Sequence, residues 1–286
     1  MATLVIQSLI SGILLGGIYS LIAAGLTLVC GVMNIFNFAH GSMVMLGMYT
    51  SYFLWKLVGL HPYLSIIVII PVFMLFGMLI YKIVLDSSMN ADENMKIFLI
   101  LGLMFLIENM ALFLWGPNFR TVSVRLSNAT FYVRDIMISV SRLIAFIGSV
   151  FFSLLLYCVL KFSDFGKCLR AAAEEKEGAA IVGINVRRVY TYAFGIGAAC
   201  AGVAGALLVP FSTTFPDVGN LFLITMFVVI VLGGMGSYIG ALISGLIIGV
   251  AESIAAVFMP GSMKITVSLF IFVLVLLFKP EGLFRK

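Results

Sequence analysis

The chain has 286 residues, 63% of them hydrophobic and only 10% charged, with a mean hydropathy of +1.21 and a net charge of +5. A soluble protein of this length cannot make a water-compatible surface from such a composition, so most of the chain is solvated by lipid. The positive charge reads as lysine and arginine held on one side of a membrane; no basic stripe interleaved with aromatics points to nucleic acid.

Charged side chains are bunched, and none occurs in residues 1–55, 57–81 or 189–216. Each gap holds at least one crossing of about 20 residues. In chain order the predicted spans are 4–29, 39–57, 63–84, 97–115, 143–160 and 189–209, with two or three more between 221 and 278. The predicted fold is all-α: a polytopic membrane helix bundle of about eight or nine transmembrane helices, with room for broken or re-entrant segments. Long continuous apolar runs without two-residue alternation exclude a barrel. The first run lacks the basic flank and cleavage site of a secretory signal and reads as a retained span. One transmembrane domain is expected over residues 1–286, with a cytoplasmic loop at about 161–188 and an extracytoplasmic segment at about 116–142.

Lys161, Lys167, Arg170, Lys176, Arg187 and Arg188 form the richest basic cluster, and Lys82, Lys96, Lys279, Arg285 and Lys286 fit the same side. That side is read as cytoplasmic, which puts the N-terminus outside, the C-terminus inside and makes the number of crossings odd. Arg120, Arg125, Arg134 and Arg142 then lie outside, where Val122, Val124 and Leu126 alternate with polar neighbours as in an extended stretch folded over the bundle. Cys30, Cys158, Cys168 and Cys200 have no metal-ligand spacing and read as packing residues. Small residues recur at helix-contact spacing: Gly12 with Gly16, Ala198 with Gly202, Ala201 with Gly205, Gly236 with Gly240, and Gly245 with Gly249.

The longest charged segment, FSDFGKCLRAAAEEKEGAAIVGINVRRV, has the alanine and glutamate content of one or two short cytoplasmic helices and is too long for a mere connector. It reads either as a solvated loop or as a docking surface for a soluble partner. No phosphate-binding Gly-x-x-x-x-Gly-Lys-Ser/Thr loop is present, so any ATP hydrolysis belongs to another polypeptide. With two histidines, no nucleophile motif and no useful carboxylate pair, the chain does not read as an enzyme, and neither a cofactor nor a metal is expected.

Polar groups at lipid depth mark the candidate path, because they are costly unless they face a cavity or a partner. Asn34, Asn37 and His40 would share one side if helical; the glycines around them, Gly31 and Gly41, suit a broken or re-entrant helix equally well. Glu108 with Asn109, and Glu252, are the other candidates, each open to structural pairing as well as to a role in the path.

The stretch GLTLVCGVMNIFNFAHGSMVMLGMY, residues 25–49, resembles the signature of LivH-type branched-chain amino acid permeases. The segments GKCLRAAAEEKEGAAIVGINVRRVYTYAFGIGAACAGVAGALL and VVIVLGGMGSYIGALISGLIIGVAES and the terminal KPEGLF resemble the same family, so the likeness spans the whole chain. It implies a membrane-embedded subunit of an ATP-binding-cassette importer for leucine, isoleucine and valine in a bacterial cytoplasmic membrane. Its implied partners are a second, LivM-like permease subunit, two ATPases and an extracytoplasmic substrate-binding protein. Glu177, Gly178 and Ala179 with Gly183 approximate the family's coupling motif, and Glu174, Glu175, Arg187 and Arg188 flank it. Gly178 stands where alanine is usual, at a cost of about 1 kcal/mol in helix propensity, and the motif's leucine–proline ending is missing near Ala193. The same architecture carrying urea, short amides or other amino acids remains an alternative. A stand-alone channel or ion-coupled carrier, using Glu108 and Glu252, is the reading from another class.

Overall fold

The computed structural model describes residues 2–89, 91–124, 129–133, 136–259, 263–279 and 281–284, and its apolar runs are helices. Helices satisfy their own backbone hydrogen bonds, which hydrocarbon demands. In chain order they are α1 (Ala2–Met33), α2 (His40–Val58), α3 (Ile66–Ile80), α4 (Glu93–Trp115), α5 (Val140–Phe162), the short α6 (Asp164–Glu174) and α7 (Lys176–Ile181), α8 (Val186–Leu208), α9 (Val218–Gly233), α10 (Tyr238–Phe258) and α11 (Lys264–Phe278). The end of α3 runs on through a π-turn, Tyr81–Leu85, and a 3-10 turn, Asp86–Ser88. A small hairpin pairs β1 (Thr130–Val133) antiparallel with β2 (Ile136–Ser139), Thr130 opposite Ser139.

Among the described residues six helices are long and apolar enough to cross a membrane: α1, α3 with its extension, α4, α5, α8 and α10. The other predicted spans are α2, α9 and α11. With 16 and 15 residues, α9 and α11 reach only about 24 and 22 Å, less than the roughly 30 Å hydrocarbon core. By contrast α1, with 32 residues, is about 48 Å long and outruns it. The centre of the bundle is α1 and α8, most of whose residues are buried, whereas Phe98 and Phe113 of α4 and Phe151 of α5 are turned outward.

Close crossings explain the glycines. On α1, Gly12 and Gly16 face Val250 and Leu246 of the antiparallel α10, whose own Gly249 and Gly245 abut Gly16 and Ser20, so two of the predicted small-residue pairs pack on each other. Along α8, Gly197 meets Gly25 of α1, Ala198 meets Gly77 of α3 and Gly202 meets Gly47 of α2. The pairing of Gly236 with Gly240 on one helix face does not hold. Gly236 lies in the α9–α10 turn at φ +84 and packs on Gly31, whereas Gly240 packs on Gly233.

The two ends of the bundle differ. One carries α6, α7, the C-terminal ends of α1 and α9, and the tail, where the Leu283 amide donates to the Leu232 carbonyl. Lys82, Lys96, Lys161, Arg170, Arg187 and Lys279 gather there. The other end carries the hairpin, Arg120 and Arg142. There the expected extended stretch is held by a bridge between Arg120 and Thr214, with Val122 buried, and the strands lie a few residues further on. Arg125, Leu126, Arg134, Arg285 and Lys286 lie outside the described residues.

Candidate functional site

The stretch after α1 is not helical, so Asn34, Asn37 and His40 do not share a helix face. Asn34 takes φ +52, a left-handed conformation that asparagine tolerates, and the chain stays irregular until α2 begins at His40. The broken-helix reading holds instead. His40 Nε2 lies 3.2 Å from the Ile22 carbonyl, and a side chain on Gly25 would touch the imidazole. Since Gly25 is eight residues from the end of α1, the irregular segment carries the chain back by about 12 Å along it. The three residues part company: Asn34 is exposed on a cavity shared with Glu93, Lys96 and Ala173, while Asn37 and His40 are buried. Asn37 Oδ1 and His40 Nδ1 find no hydrogen-bond partner among the described residues.

Because α2 starts inside the bundle, its first turn can meet that of α9. A side chain on Gly41 would strike the Gly219 carbonyl at 2.5 Å, and one on Gly219 the Gly41 carbonyl at 2.7 Å. Both helices therefore bring their partly positive N-termini to one place. Glu108 of α4 closes on it: Ser42 Oγ donates to its Oε1 at 3.1 Å, and Asn220 and the negative charge of Asp217 lie nearby. Asn220 Nδ2 in turn donates to Asp217 Oδ1 at 2.5 Å. This polar patch is half open, with Glu108 and Asn220 part-buried and Asp217 exposed. Asn109 takes no part, since it is exposed and its amide donates to the Phe105 carbonyl of its own helix.

Glu252 lies elsewhere, at the junction of four helices. Tyr19 of α1 donates to Oε2 at 2.9 Å, and Ser268 of α11 and Thr225 of α9 donate to Oε1 at 2.7 and 3.4 Å. The carboxylate is 2% exposed and borders two cavities, of about 340 and 400 Å³, near the hairpin end. Structural pairing, one of the two roles open to it in the sequence, is thus real for this residue.

At the opposite end the charged segment forms two short helices. Ser163 caps α6 by accepting from the Gly166 amide, Glu175 caps α7 by accepting from Glu177, and Asn185 caps α8 by accepting from Arg188. Ala179 is buried and tied down, its carbonyl accepting from the Ile184 amide, and Gly183 makes the turn at φ +88. Glu174, Glu175, Glu177 and Arg188 are exposed, as is Gly183; Gly178 is part-buried. Ile181 and Val182, 86% and 75% exposed, form an apolar tip on this charged loop. Arg187 reaches across to Asp86 at 2.9 Å and pins the start of α8 to the end of the α3 extension.

A family model described as "Branched-chain amino acid transport system / permease component" matches residues 8–277. This chain belongs to that family. The LivH permease of Salmonella typhimurium, a protein of the high-affinity branched-chain amino acid transport system, is 32% identical to this permease over 98% of its chain and 96% of the relative. BraD of Pseudomonas aeruginosa is 30% identical over the same shares, and a probable branched-chain amino acid permease, LivH of Methanocaldococcus jannaschii, 31% over 92% of this chain and 87% of the relative. No solved structure matches significantly. The permease is a multi-pass membrane protein.

The sequence reading missed most partners of its own candidates: Ser42, Asp217 and Asn220 around Glu108, and Tyr19, Thr225 and Ser268 around Glu252. An aspartate and asparagine three apart, opening an apolar run, was the available signal for Asp217 and Asn220. Nothing in the sequence singles out Tyr19, which bonds a residue 233 positions away.

Proposed function

We propose that this permease is one membrane-spanning subunit of an ATP-driven importer for branched-chain amino acids. The observation that carries the reading is near-full-length similarity to permeases named for that transport. In this reading the end bearing α6, α7 and the basic cluster is cytoplasmic, the membrane is the cytoplasmic membrane, and the hairpin end meets a substrate-binding protein outside. ATP is hydrolysed by two partner ATPases. Their groove receives the loop at about 161–188, with Ile181 and Val182 supplying an apolar contact and the exposed Glu174, Glu175, Glu177, Arg187 and Arg188 of the same loop supplying charge. A push on α7 passes to α8, with which the loop is continuous through Gly183 and Asn185, and from α8 to α1, α2 and α3 packed along it.

The translocation path runs along the face where α2, α4 and α9 bring together Ser42, Glu108, Asn220 and Asp217, completed by a second permease subunit. A polar patch at this depth is costly against lipid, and helix N-termini meeting inside a bundle are a recurring way to build a transport site. Asn37 and His40 position the start of α2, and Asn34 lines the cytoplasmic cavity below it.

The test is ATP-dependent uptake of radiolabelled leucine, and separately urea, into vesicles holding the whole complex and its binding protein. Leucine uptake lost on Glu177→Lys supports both cargo and coupling loop. Urea uptake alone would overturn the cargo, and uptake without ATP would overturn the importer.

A further inference from the structure

We propose that the cavity between α1, α5 and α10 at the hairpin end is a binding site for a free α-amino acid, with Arg142 taking its carboxylate and Glu252 its ammonium. The ligand class follows from the lining. The cavity holds about 400 Å³, the lower range of small-molecule sites. A guanidinium, Arg142, and a carboxylate, Glu252, border the same space, and the hydroxyls of Ser8 and Ser11 and the amide of Gln7 line it too. Phe211 and the apolar face of α1 close the rest.

The two charges do not neutralise each other, because no ion pair joins Arg142 to Glu252 among the described residues. Arg142 instead lies over the Phe211 ring, 5.9 Å from its centroid. Its planar fork of donors suits a carboxylate. On the other side Tyr19, Thr225 and Ser268 hold Glu252 from three helices, so its position is set before a ligand arrives. A carboxylate has room for about four donors, and these hydroxyls leave acceptor capacity for an ammonium. An exposed guanidinium and a buried carboxylate on one cavity recognise a zwitterion: an acid alone leaves the buried Glu252 without a partner, and an amine alone forgoes the pair with Arg142.

The site is separate from the Ser42–Glu108–Asn220 patch. Only the choice of leucine as probe rests on the importer reading, and the test below works without ATPases or binding protein. Equilibrium binding of radiolabelled leucine is measured on the full chain in nanodiscs, with isocaproate (no ammonium) and isoamylamine (no carboxylate) as competitors. Saturable leucine binding is expected, with isocaproate, which leaves buried Glu252 unpaired, at least about tenfold weaker than leucine, and isoamylamine weaker by a smaller factor. Glu252→Gln should weaken leucine at least about tenfold, Arg142→Gln by a smaller factor, and Arg142→Lys less still. Because Glu252→Gln disturbs a structural junction, Ser8→Phe provides a second arm: it fills the cavity from the rim and should abolish binding while the protein's melting is retained. Absence of leucine binding to the wild-type chain overturns the site, as does binding that Arg142→Gln and Ser8→Phe leave unchanged. Either result leaves ATP-driven leucine uptake by the whole complex standing. Loss of that uptake with binding intact would overturn the importer reading alone.

Discussion

Replacing Gly249 with alanine puts the close crossing of α1 and α10 to the test. The new methyl carbon would lie 2.4 Å from Gly16 Cα and 2.6 Å from the Gly12 carbonyl oxygen, both backbone atoms that no rotamer change can move. Ordinary contact begins at 3.4 Å, so α1 and α10 must separate by about 1 Å. Overpacking of this kind costs about 1–3 kcal/mol. The same displacement pulls Glu252, on the next turn, away from Tyr19 and weakens a buried hydrogen bond worth about another 1 kcal/mol. The expected loss is therefore about 2–4 kcal/mol, read as a lowered melting temperature of the detergent-purified chain. Gly102→Ala, on the outward side of α4 with nothing within 4 Å of the added carbon, is the control and should melt no lower than wild type. Since one separation accommodates both methyls, Gly16→Ala combined with Gly249→Ala should cost less than the two single changes added. Wild-type melting of Gly249→Ala, or an equal loss in Gly102→Ala, would refute the close crossing.

The other predictions concern the loop and the polar patch. Gly178→Ala meets only the Glu175 side chain, at 3.1 Å and free to swing; it should firm α7 by about 1 kcal/mol, slow proteolysis of the loop and leave leucine uptake intact, whereas lost uptake would show that the glycine itself is needed at the ATPase contact. For the Arg187–Asp86 ion pair, with the arginine side chain 75% exposed, a double-mutant cycle with Arg187→Gln and Asp86→Asn should give a coupling below about 1 kcal/mol; full additivity would mean that the pair does not form. Glu108→Gln should cut uptake at least about tenfold with little change in melting, because the residue is half open and carries one modest bond from Ser42. Full transport by this variant would remove Glu108 from the path.

Much of the architecture was legible because lipid simplifies the code. Gaps in the charge pattern mark the long helices, and the pairs Gly12/Gly16 and Gly245/Gly249 mark the α1–α10 crossing, since only small residues let two backbones touch. The helices α6 and α7 were legible from alanine and glutamate between two spans. What misled was spacing alone: Asn34, Asn37 and His40 stand three apart, but the left-handed turn at Asn34 ends the helix, and periodicity cannot distinguish a face from a break. The site partners stayed hidden for another reason. A serine or threonine in an apolar helix is ordinary, and its meaning depends on a contact residue far along the chain, as with Ser42 and Glu108, 66 positions apart.

The same contacts explain how helices too short to span find their depth. An apolar helix in hydrocarbon gains little from burial against another apolar helix, because lipid tails are as apolar as leucine. For α9 and α11 the length of the apolar run therefore cannot fix their position along the bundle. Two polar bonds can: Thr225 and Ser268 both reach Oε1 of Glu252, and sliding either helix by one turn, 5.4 Å, would take its hydroxyl out of range. At its far end α9 is fixed again, its Leu232 carbonyl accepting from the tail at Leu283 and its Gly233 packed on Gly240. Glu252 thus sets the register of the two helices whose sequence sets it least.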